Sequence, residues 1–454
     1  MRASHLACVS LLATAWLLPG CGAKTGLDVP DANIDTGRSR DAGIDADIGP
    51  HDGGRPSDRD MGDRDMGGTD ANIPCIQLDP DAGPLELPLD TQVELTRADV
   101  VFLIDHTGSM SEEIGHIQAE LRDVIAPGIQ AAIPDAQIGV AMFADFPVFD
   151  CGVASDHPYN LVLPVTGDLA LVQSAVNGIS VANGGDQPEA QVEALYQTVT
   201  GEGLGSYIPA SFGCASGGTG FACFRGDALP VILLFTDDLW HNGPGNSDPY
   251  TNDCPSLVTE LASLSPPQAP RPYTDAVTVL NARGVRVISI FSGENPAARD
   301  HMLRIARDTR ALDAAGAPIE FDIGTRGESL SASVVSAITI LSSVVRFDID
   351  AVLVNPNPGS SVDPRVFVQS IRPLRAEPMD GIASIDLAAN VFRQVRTGTR
   401  VVFQLTLRNG SVAPGVGPQT FPLEIVFRGD MRTRLGSTII NIVIPGADGT
   451  GCIR

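Results

Sequence analysis

The chain has 454 residues, a hydrophobic fraction of 43% and a formal net charge of −25, a combination that predicts folded domains with an acidic surface. Almost all of its basic side chains are arginines, because Lys24 is the only lysine. This composition argues against nucleic-acid binding through a basic face. It also leaves the folded part without a lysine that could act as a nucleophile or hold a phosphate.

The N-terminus has the layout of a secretory signal over residues 1–21. One arginine is followed by an apolar stretch and then by small residues that precede Cys21. The last four residues spell LPGC, which resembles a bacterial lipobox. The resemblance implies cleavage before Cys21 and lipidation of its thiol, and an ordinary signal peptide is the alternative. Since no other stretch approaches the ~18 apolar residues of a membrane span, we expect membrane attachment through the lipid alone.

Residues 22–74 form a linker that is rich in aspartate and glycine. They contain twelve aspartates and six basic residues but no aromatic residue, so they cannot bury enough apolar surface to fold. As a flexible coil the segment would span roughly 40 Å. We expect a disordered tether that lifts the following domains off a membrane.

Residues 98–345 alternate apolar strands with amphipathic helices, a pattern typical of a mostly parallel sheet covered on both faces. The predicted strands are ADVVFLID, AQIGVAMFAD, ALPVILLFTD and GVRVISIFSG. A helix follows the first of them, and Ser111 is its expected N-cap. The apolar residues expected on the buried face of that helix are Ile114, Ile117, Leu121, Val124 and Ile125.

Residues 346–454 change to period-two runs separated by turn signals, which predicts an antiparallel β-sandwich. Within it, Arg428-Gly429-Asp430 spells a cell-adhesion tripeptide, but its place between two strands favours a hairpin turn. Residues 75–97 also alternate and are expected to add a strand to the same sandwich, so the α/β unit is either inserted in the sandwich or followed by it. Cys75 and Cys452 would then lie at the two ends of one domain and could pair.

Oxygen-bearing side chains cluster where the predicted strands and loops meet. In an open parallel sheet, ligands bind beyond the carboxyl ends of the strands, because loops from several strands converge there. Carboxylates and hydroxyls without histidine or thiolate suit Mg²⁺, Mn²⁺ or Ca²⁺ rather than zinc or copper. The side chains concerned are Asp105, Thr107 and Ser109 after the first strand, Asp186 and Glu189 in the loop NGGDQPEA, and Asp237 after LLFT.

The motif DHTGS fits the D-x-[ST]-x-S metal motif of the von Willebrand factor A fold, which this part of the chain resembles. Longer stretches resemble integrin β subunits: DHTGSMSEEI, IGVAMFADFPV and DQPEA match their metal-site motifs, and VVSAITILSSVVRFDI matches the segment that leads into their hybrid sandwich. The resemblance covers most of residues 80–452. It implies a Rossmann-like, doubly wound α/β domain joined to a hybrid-like sandwich. It also implies a divalent ion with one position open for a partner's carboxylate.

Carried over residue by residue, the resemblance implies a central ion held by Asp105, Thr107, Ser109, Glu189 and Asp237. Glu112 and Glu113 fall where integrins have an aspartate pair for an adjacent calcium. Glutamates in a first helical turn also complement the helix dipole without any metal, so both interpretations stay open. Asp186, together with Glu189, matches ligands of a third site.

Six cysteines remain beyond Cys8 and Cys21, an even number that favours disulfides in an exported chain. The resemblance places the loops that carry Cys151 and Cys254 on the metal side, where the two could be bridged. Cys214 and Cys223 flank an insertion and are expected to close it locally.

Together these features predict a metal-dependent binding protein and not an enzyme. The chain has no G-x-S-x-G, H-E-x-x-H or phosphate-loop motif, and its histidines show no ligand spacing. We expect a lipid-anchored protein of the bacterial cell envelope, at the outer membrane and exposed at the surface. Its Mg²⁺, Mn²⁺ or Ca²⁺ ion would capture a carboxylate on a protein or polymer partner. The alternative is a periplasmic structural or assembly scaffold that uses the same domain without an external ligand.

Overall fold

The computed structural model describes residues 73–80, 82–182, 184–215, 217–241 and 254–452. The predicted signal peptide with Cys21, and the tether as far as residue 72, lie outside the described residues. Within the described part of the chain, no helix combines the length and the apolar character needed to cross a membrane.

Fifteen strands are assigned in the described residues. In chain order they are β1 (Cys75–Gln77), β2 (Leu85–Gln92), β3 (Arg97–Asp105), β4 (Asp135–Phe143), β5 (Asn160–Thr166), β6 (Leu229–Thr236), β7 (Arg286–Phe291), β8 (Glu320–Asp322), β9 (Arg346–Val354), β10 (Val368–Glu377), β11 (Ser384–Asp386), β12 (Val391–Arg396), β13 (Arg400–Leu407), β14 (Gln419–Gly429) and β15 (Thr433–Ile444).

Eight α-helices are assigned in the same residues. They are α1 (Ser111–Glu120), α2 (Ala126–Ala132), α3 (Leu169–Asn177), α4 (Gln191–Thr200), α5 (Pro255–Ala262), α6 (Tyr273–Ala282), α7 (Pro296–Asp308) and α8 (Leu330–Val344). Short 3₁₀ turns form at Gly108–Met110, Pro364–Phe367 and Met379–Gly381, and a π-helical turn at Leu121–Ile125 joins α1 to α2.

The α/β unit is a six-stranded sheet in the order β5-β4-β3-β6-β7-β8. All of its pairs are parallel except β4 with β5. The four strands that the apolar runs predict are β3, β4, β6 and β7, and the two edge strands were not predicted. β8 has only three residues and β5 contains a proline and polar positions, so neither produces a strong apolar run.

Helices cover both faces of this sheet, as the near-continuous burial of β3 requires. Alternate side chains of β3 point to opposite faces. Val100 and Phe102 join the core that includes α1, α2, α3 and α8. Val101 and Leu103 join a second core with helices α4 to α7. The predicted fold class, a doubly wound α/β sheet combined with an antiparallel sandwich, is confirmed.

The sandwich consists of two sheets, in the orders β1-β15-β14-β9-β12-β11 and β10-β13-β2. β2 pairs with β13 in full antiparallel register from Leu85–Leu407 to Gln92–Arg400. The sandwich strand β2 therefore precedes the α/β unit and β9 follows it, so the α/β unit is inserted in the sandwich. Phe392, Phe403 and Phe427 pack against one another between the sheets, with ring centroids 5.1 and 5.7 Å apart.

Two predicted details of the first helix are wrong. A 3₁₀ turn occupies Gly108–Met110, so Met110 is the N-cap residue, without a side-chain cap hydrogen bond, and Ser111 is already the first residue of α1. The π-helical turn at Leu121–Ile125 contains one more residue per turn than an α-helix. As a result Val124 turns outward and is 47% exposed, whereas Leu121 and Ile125 remain buried.

The tripeptide Arg428-Gly429-Asp430 lies in the hairpin between β14 and β15, as predicted. Asp430 and Met431 both have positive φ angles, 52° and 59°, as a tight hairpin turn requires. One carboxylate oxygen of Asp430 is held within its own domain: Oδ1 accepts a hydrogen bond of 2.9 Å from the Asp348 N–H.

Candidate metal centre

The strand order brings the predicted ligands to one edge of the sheet. Asp105 is the last residue of β3, and Asp237 directly follows the neighbouring parallel strand β6. Glu189 precedes α4, and its N–H donates to the Leu239 carbonyl at 2.8 Å, in the segment that follows Asp237. Loops that are distant in sequence therefore converge at the carboxyl ends of the central strands.

A chain of hydrogen bonds links four of the five predicted ligands. Thr107 Oγ1 donates to Asp105 Oδ1 at 2.7 Å, and the Thr107 N–H donates to the same oxygen at 3.0 Å. The hydroxyls of Thr107 and Ser109 are 3.2 Å apart, and Ser109 Oγ donates to Asp237 Oδ1 at 3.2 Å. The two hydroxyls thus lie between the two carboxylates, as expected for a set of oxygen ligands around one ion.

The second oxygen of Asp105 is held by residues that the sequence reasoning missed. Thr236 Oγ1 donates to Asp105 Oδ2 at 2.7 Å, and Gln191 Nε2 donates to Thr236 Oγ1 at 2.9 Å. All three side chains are fully buried. These hydrogen bonds fix the orientation of the Asp105 carboxylate through Oδ2, the oxygen that Thr107 does not contact, as outer-shell hydrogen bonds do for metal ligands. The role of Thr236 could have been predicted from the sequence, because this residue directly precedes the predicted ligand Asp237.

Glu189, the fifth predicted ligand, is buried beside these groups without a hydrogen bond to its Oε2. Burial, together with the nearby carboxylates of Asp105 and Asp145, raises its pKa to about 12. Burial and the charge of Asp237 raise the pKa of Asp105 to about 7. Burial also raises the pKa of Asp237. Acidic groups in this state need either protons or a cation, and the oxygen-only donor set fits a hard divalent ion.

The carboxylates of Asp105, Glu189 and Asp237 do not form a tight triad. In the described part of the chain, two sets of three His, Cys, Asp or Glu ligand atoms lie within 4.8 Å of one another, and neither set contains these residues. The structure therefore joins Asp105, Thr107, Ser109 and Asp237 by hydrogen bonds. Glu189 lies close enough to Asp105 and Asp237 for their charges to raise its pKa.

The two glutamates predicted for an adjacent ion differ in environment. Glu113 is 1% exposed, and burial, with smaller contributions from Asp237 and Glu112, raises its pKa to about 7. Glu112 is exposed, and its Oε2 lies 3.8 Å from the Arg326 guanidinium. Glu113 is therefore buried near enough to Asp237 for its pKa to be affected, whereas Glu112 has a basic neighbour at the surface.

Asp186 belongs to a separate group that contains a histidine. The Nε2 atom of His241 lies 3.1 Å from Asp145 Oδ1 and 3.4 Å from Asp186 Oδ1. Although burial opposes the charged imidazole, the contacts with Asp145 and Asp186 raise the pKa of His241 to about 9. Neither Asp145 nor His241 was predicted as a site residue, because the contact joins two loops that no sequence spacing connects.

All three disulfides join the cysteine pairs expected from the sequence: Cys75–Cys452, Cys151–Cys254 and Cys214–Cys223. The second of them borders the acidic groups. The Cys151 carbonyl accepts a hydrogen bond of 2.8 Å from the Asp186 N–H, and Cys254 Sγ lies 3.5 Å from His241 Nδ1. Because both sulfurs are in the disulfide, they are not thiolate ligands for a metal.

The strand order, the antiparallel edge strand and the helices on both faces define the α/β unit as von Willebrand factor A-like. No protein-family model matches the chain, and no curated protein matches it either. Similar solved structures include a von Willebrand factor type A protein from Catenulispora acidiphila, with 12% identity over 83% of this chain and 76% of that one, and a TM-score of 0.32.

Two further similar structures come from proteins of which the chain spans about half the length. The pilus adhesin SpaC from Lactobacillus rhamnosus GG, in its open conformation, is 12% identical over 83% of this chain and 46% of that one. Proximal thread matrix protein 1 from the mussel byssus is 14% identical over 58% and 51%. Both have TM-scores of 0.32. Because these identities and TM-scores are low, the fold assignment depends on the strand order of the sheet. The similarity to these structures gives no information about activity.

Proposed function

We propose that this chain is a divalent-cation-dependent binding module, in which Asp105, Thr107, Ser109, Glu189 and Asp237 hold Mg²⁺, or Mn²⁺ or Ca²⁺ in its place. The observation that carries the proposal is the hydrogen-bonded chain from Asp105 to Asp237, with the unpartnered Glu189 Oε2 buried beside it. The ion would supply a Lewis-acidic position that attracts an outside carboxylate.

Electrostatics supports this assignment. Two carboxylates about 6 Å apart repel by roughly 3 kcal/mol at an effective dielectric constant near 20, and the raised pKa values of Asp105 and Glu189 have the sign that such repulsion and burial produce. A bound dication would reverse this repulsion. Occupation by a metal would therefore stabilise the folded protein as well as complete the site.

The burial of the individual ligands supports a site that opens on one side. Asp105 and Thr107 are 0% and 3% exposed, so they form the floor. Ser109 is exposed and Asp237 is partly exposed, so they form the rim. A carboxylate of a protein or polymer partner could reach the ion from the rim without any movement of the sheet. We propose binding and not catalysis as the role of this site.

The proposed cellular setting is the bacterial envelope. The LPGC segment before Cys21 and the aspartate-rich tether support a lipid-anchored protein. In this proposal the tether projects the α/β unit from the outer membrane, with the ion exposed to partners at the cell surface.

Titration of the purified full chain with Mg²⁺, Mn²⁺ and Ca²⁺ in a calorimeter tests the proposal. We expect binding of at least one of the three ions, and loss of that binding in Asp105→Ala. The control is Asp123→Ala, which removes an exposed aspartate of the π-helical turn and should bind like the unmodified chain. Absence of binding for all three ions, or equal binding by Asp105→Ala, would contradict the proposal. A pull-down of envelope and matrix components with and without EDTA then identifies the partner.

A further inference from the structure

A second charged site lies where the α/β unit meets the sandwich. A cavity of about 210 Å³ opens there between the start of β7, the segment after α6 and the hairpin between β14 and β15. Its charged lining residues are Arg283, Arg286, Arg310, Arg432 and Asp430. In a chain with 30 basic residues against 55 acidic ones, four arginines around one cavity are an unusual concentration of positive charge.

Protein carboxylates neutralise little of this charge. In the described part of the chain, Arg283, Arg310 and Arg432 form no ion pair, and Arg432 Nη1 instead donates to the Arg283 carbonyl at 3.0 Å. The one acidic group on the wall, Asp430, lies 3.6 Å from Arg286 Nη2 through Oδ2, and its Oδ1 is engaged by the Asp348 N–H. The cavity therefore keeps an excess of guanidinium groups.

Arg286 provides an independent observation that points to an anionic ligand. The residue is 6% exposed, and its Nε has no hydrogen-bond partner. Its Nη1 reaches the Gly284 carbonyl at 3.3 Å. Burial, with the nearby charge of Arg310, lowers the pKa of Arg286. A buried guanidinium with an unsatisfied N–H is costly unless an anion completes its surroundings.

We propose that this arginine-lined cavity binds an oxyanion of the phosphate class, either free or as a phosphate monoester. A planar guanidinium presents parallel N–H donors that match two oxygens of such an anion. Several guanidiniums around one cavity favour a dianion over a single carboxylate. At physiological ionic strength, charges beyond about 8 Å are screened, so the negative charge of the whole chain does not prevent local binding.

The neighbouring cavity gives room for an organic group attached to the phosphate. A space of about 380 Å³ shares Arg286, Arg310 and Asp430 with the first cavity and adds Arg346 and Asp313 to its lining. A free phosphate would occupy the smaller cavity, and the remainder of a monoester would extend into the larger one.

The bound anion would link the two domains. Arg283, Arg286 and Arg310 belong to the α/β unit, whereas Arg432 belongs to the hairpin of the sandwich. Arg286 begins β7, so this cavity lies at the opposite end of the parallel sheet from Asp105 and Asp237. Anion binding should therefore stabilise the folded protein without any requirement for the metal.

Calorimetry and thermal unfolding of the full chain in buffer free of phosphate and sulfate test this site, with inorganic phosphate and glycerol phosphate as the two probes. We expect binding of at least one probe and a rise in melting temperature, both unchanged by EDTA. Arg310→Gln and Arg432→Gln should each weaken the affinity by roughly tenfold or more, because each removes a charged donor. Tighter binding of glycerol phosphate than of phosphate would assign the larger cavity to the organic group, and the reverse order would assign the site to the free anion.

The matched control is Arg372→Gln, which removes an exposed arginine of β10 and should leave the affinity unchanged. If neither phosphate nor glycerol phosphate bound at concentrations up to about 10 mM, the affinity would be negligible and the proposal would be overturned. Equal affinity in the unmodified chain and both cavity variants would also overturn it, since this would indicate an adventitious ion only.

Discussion

The imidazole Nε2 of His241 lies 3.1 Å from Asp145 Oδ1, and both side chains are at most 1% exposed. A buried acid and a buried base thus face each other next to Asp186, one of the predicted metal ligands. Asp186 Oδ1, 3.4 Å from the same nitrogen, completes the group. The imidazole Nε2 of His241 therefore lies between two carboxylates.

The contact predicts that His241 stabilises the protein in a pH-dependent way. The pKa of His241 is raised from 6.5 to about 9 by its two carboxylate partners. A raised folded-state pKa means that the stabilising contribution is complete below the unfolded value and is lost as the pH rises through about 9. In EDTA, His241→Gln should lower the free energy of unfolding by roughly 3 kcal/mol at most near pH 6, and by progressively less toward pH 9.

Chemical denaturation of the unmodified chain and of His241→Gln at several pH values between 6 and 10 measures this difference. His157→Gln is the matched control, because His157 is exposed and should show no comparable trend. A difference between the two proteins that stays constant across this range would show that His241 acts through packing and not through its charge.

The raised pKa of Asp105 predicts that metal affinity falls in acid. Burial and the charge of Asp237 raise this pKa from 3.8 to about 7. Because the folded protein then binds the proton more tightly than the unfolded chain, the metal-free protein should gain stability as the pH falls through about 7. Metal binding requires the ionised carboxylate, so protons compete with the ion.

We expect the apparent affinity for Mg²⁺ to weaken by about tenfold or more between pH 8 and pH 6, because the metal must displace the proton of Glu189 as well as that of Asp105. Calorimetric titrations at both values, in buffers that do not bind the metal, would measure the change. Thr107→Val and Ser109→Ala should weaken binding at both pH values, because they remove ligand oxygens without removing a titrating group. An affinity that is independent of pH would contradict the assignment of Asp105 as a ligand.

The disulfide between Cys151 and Cys254 should contribute more to stability than the one between Cys214 and Cys223. The first closes a loop with a sequence separation of 103 residues, and the second one of 9 residues. Under the chain-entropy account, the longer loop gives the larger stabilisation, about 5 kcal/mol or less. The paired variant Cys151→Ser with Cys254→Ser should therefore lower the melting temperature more than Cys214→Ser with Cys223→Ser.

The same two double variants test whether the Cys151–Cys254 disulfide holds the histidine-containing group in place. The Cys151 carbonyl accepts a hydrogen bond from the Asp186 N–H, so release of this segment from the disulfide should loosen the group, whereas the Cys214–Cys223 variant serves as the control. Thermal unfolding under oxidising conditions gives the comparison. Equal melting temperatures for the two double variants would contradict the expectation.

Asp430 is predicted to stabilise the fold and not to serve as an adhesion ligand. Its Oδ1 accepts the Asp348 N–H, and its own N–H donates to the Asp348 carbonyl at 2.7 Å. Asp430→Ala should lower the free energy of unfolding by about 1–2 kcal/mol. Asp380→Ala, at an exposed turn of the sandwich, should be nearly neutral. Urea denaturation measures both, and a neutral Asp430→Ala would contradict the structural role.

Much of the fold follows from local patterns in the sequence. The apolar runs of β3, β4, β6 and β7 are buried on both faces, which is why they are visible as continuous hydrophobic stretches. The short strand β8 and the polar strand β5 depend on their neighbours for pairing, so their own residues contain little signal. The outward turn of Val124 was missed for a similar reason, because periodicity does not show an extra residue in a helical turn.

By itself, the sequence determined the α/β pattern with its sandwich and the cluster of acidic and hydroxyl side chains in the DHTGS motif, since each depends on residues that are adjacent or regularly spaced. Only the tertiary structure decided that Thr236 and Gln191 hold Asp105, that His241 faces Asp145, and that arginines from two domains surround one cavity. These contacts join residues far apart in the chain. Their energies depend on burial and distance, which arise only when the sheet and the sandwich are assembled.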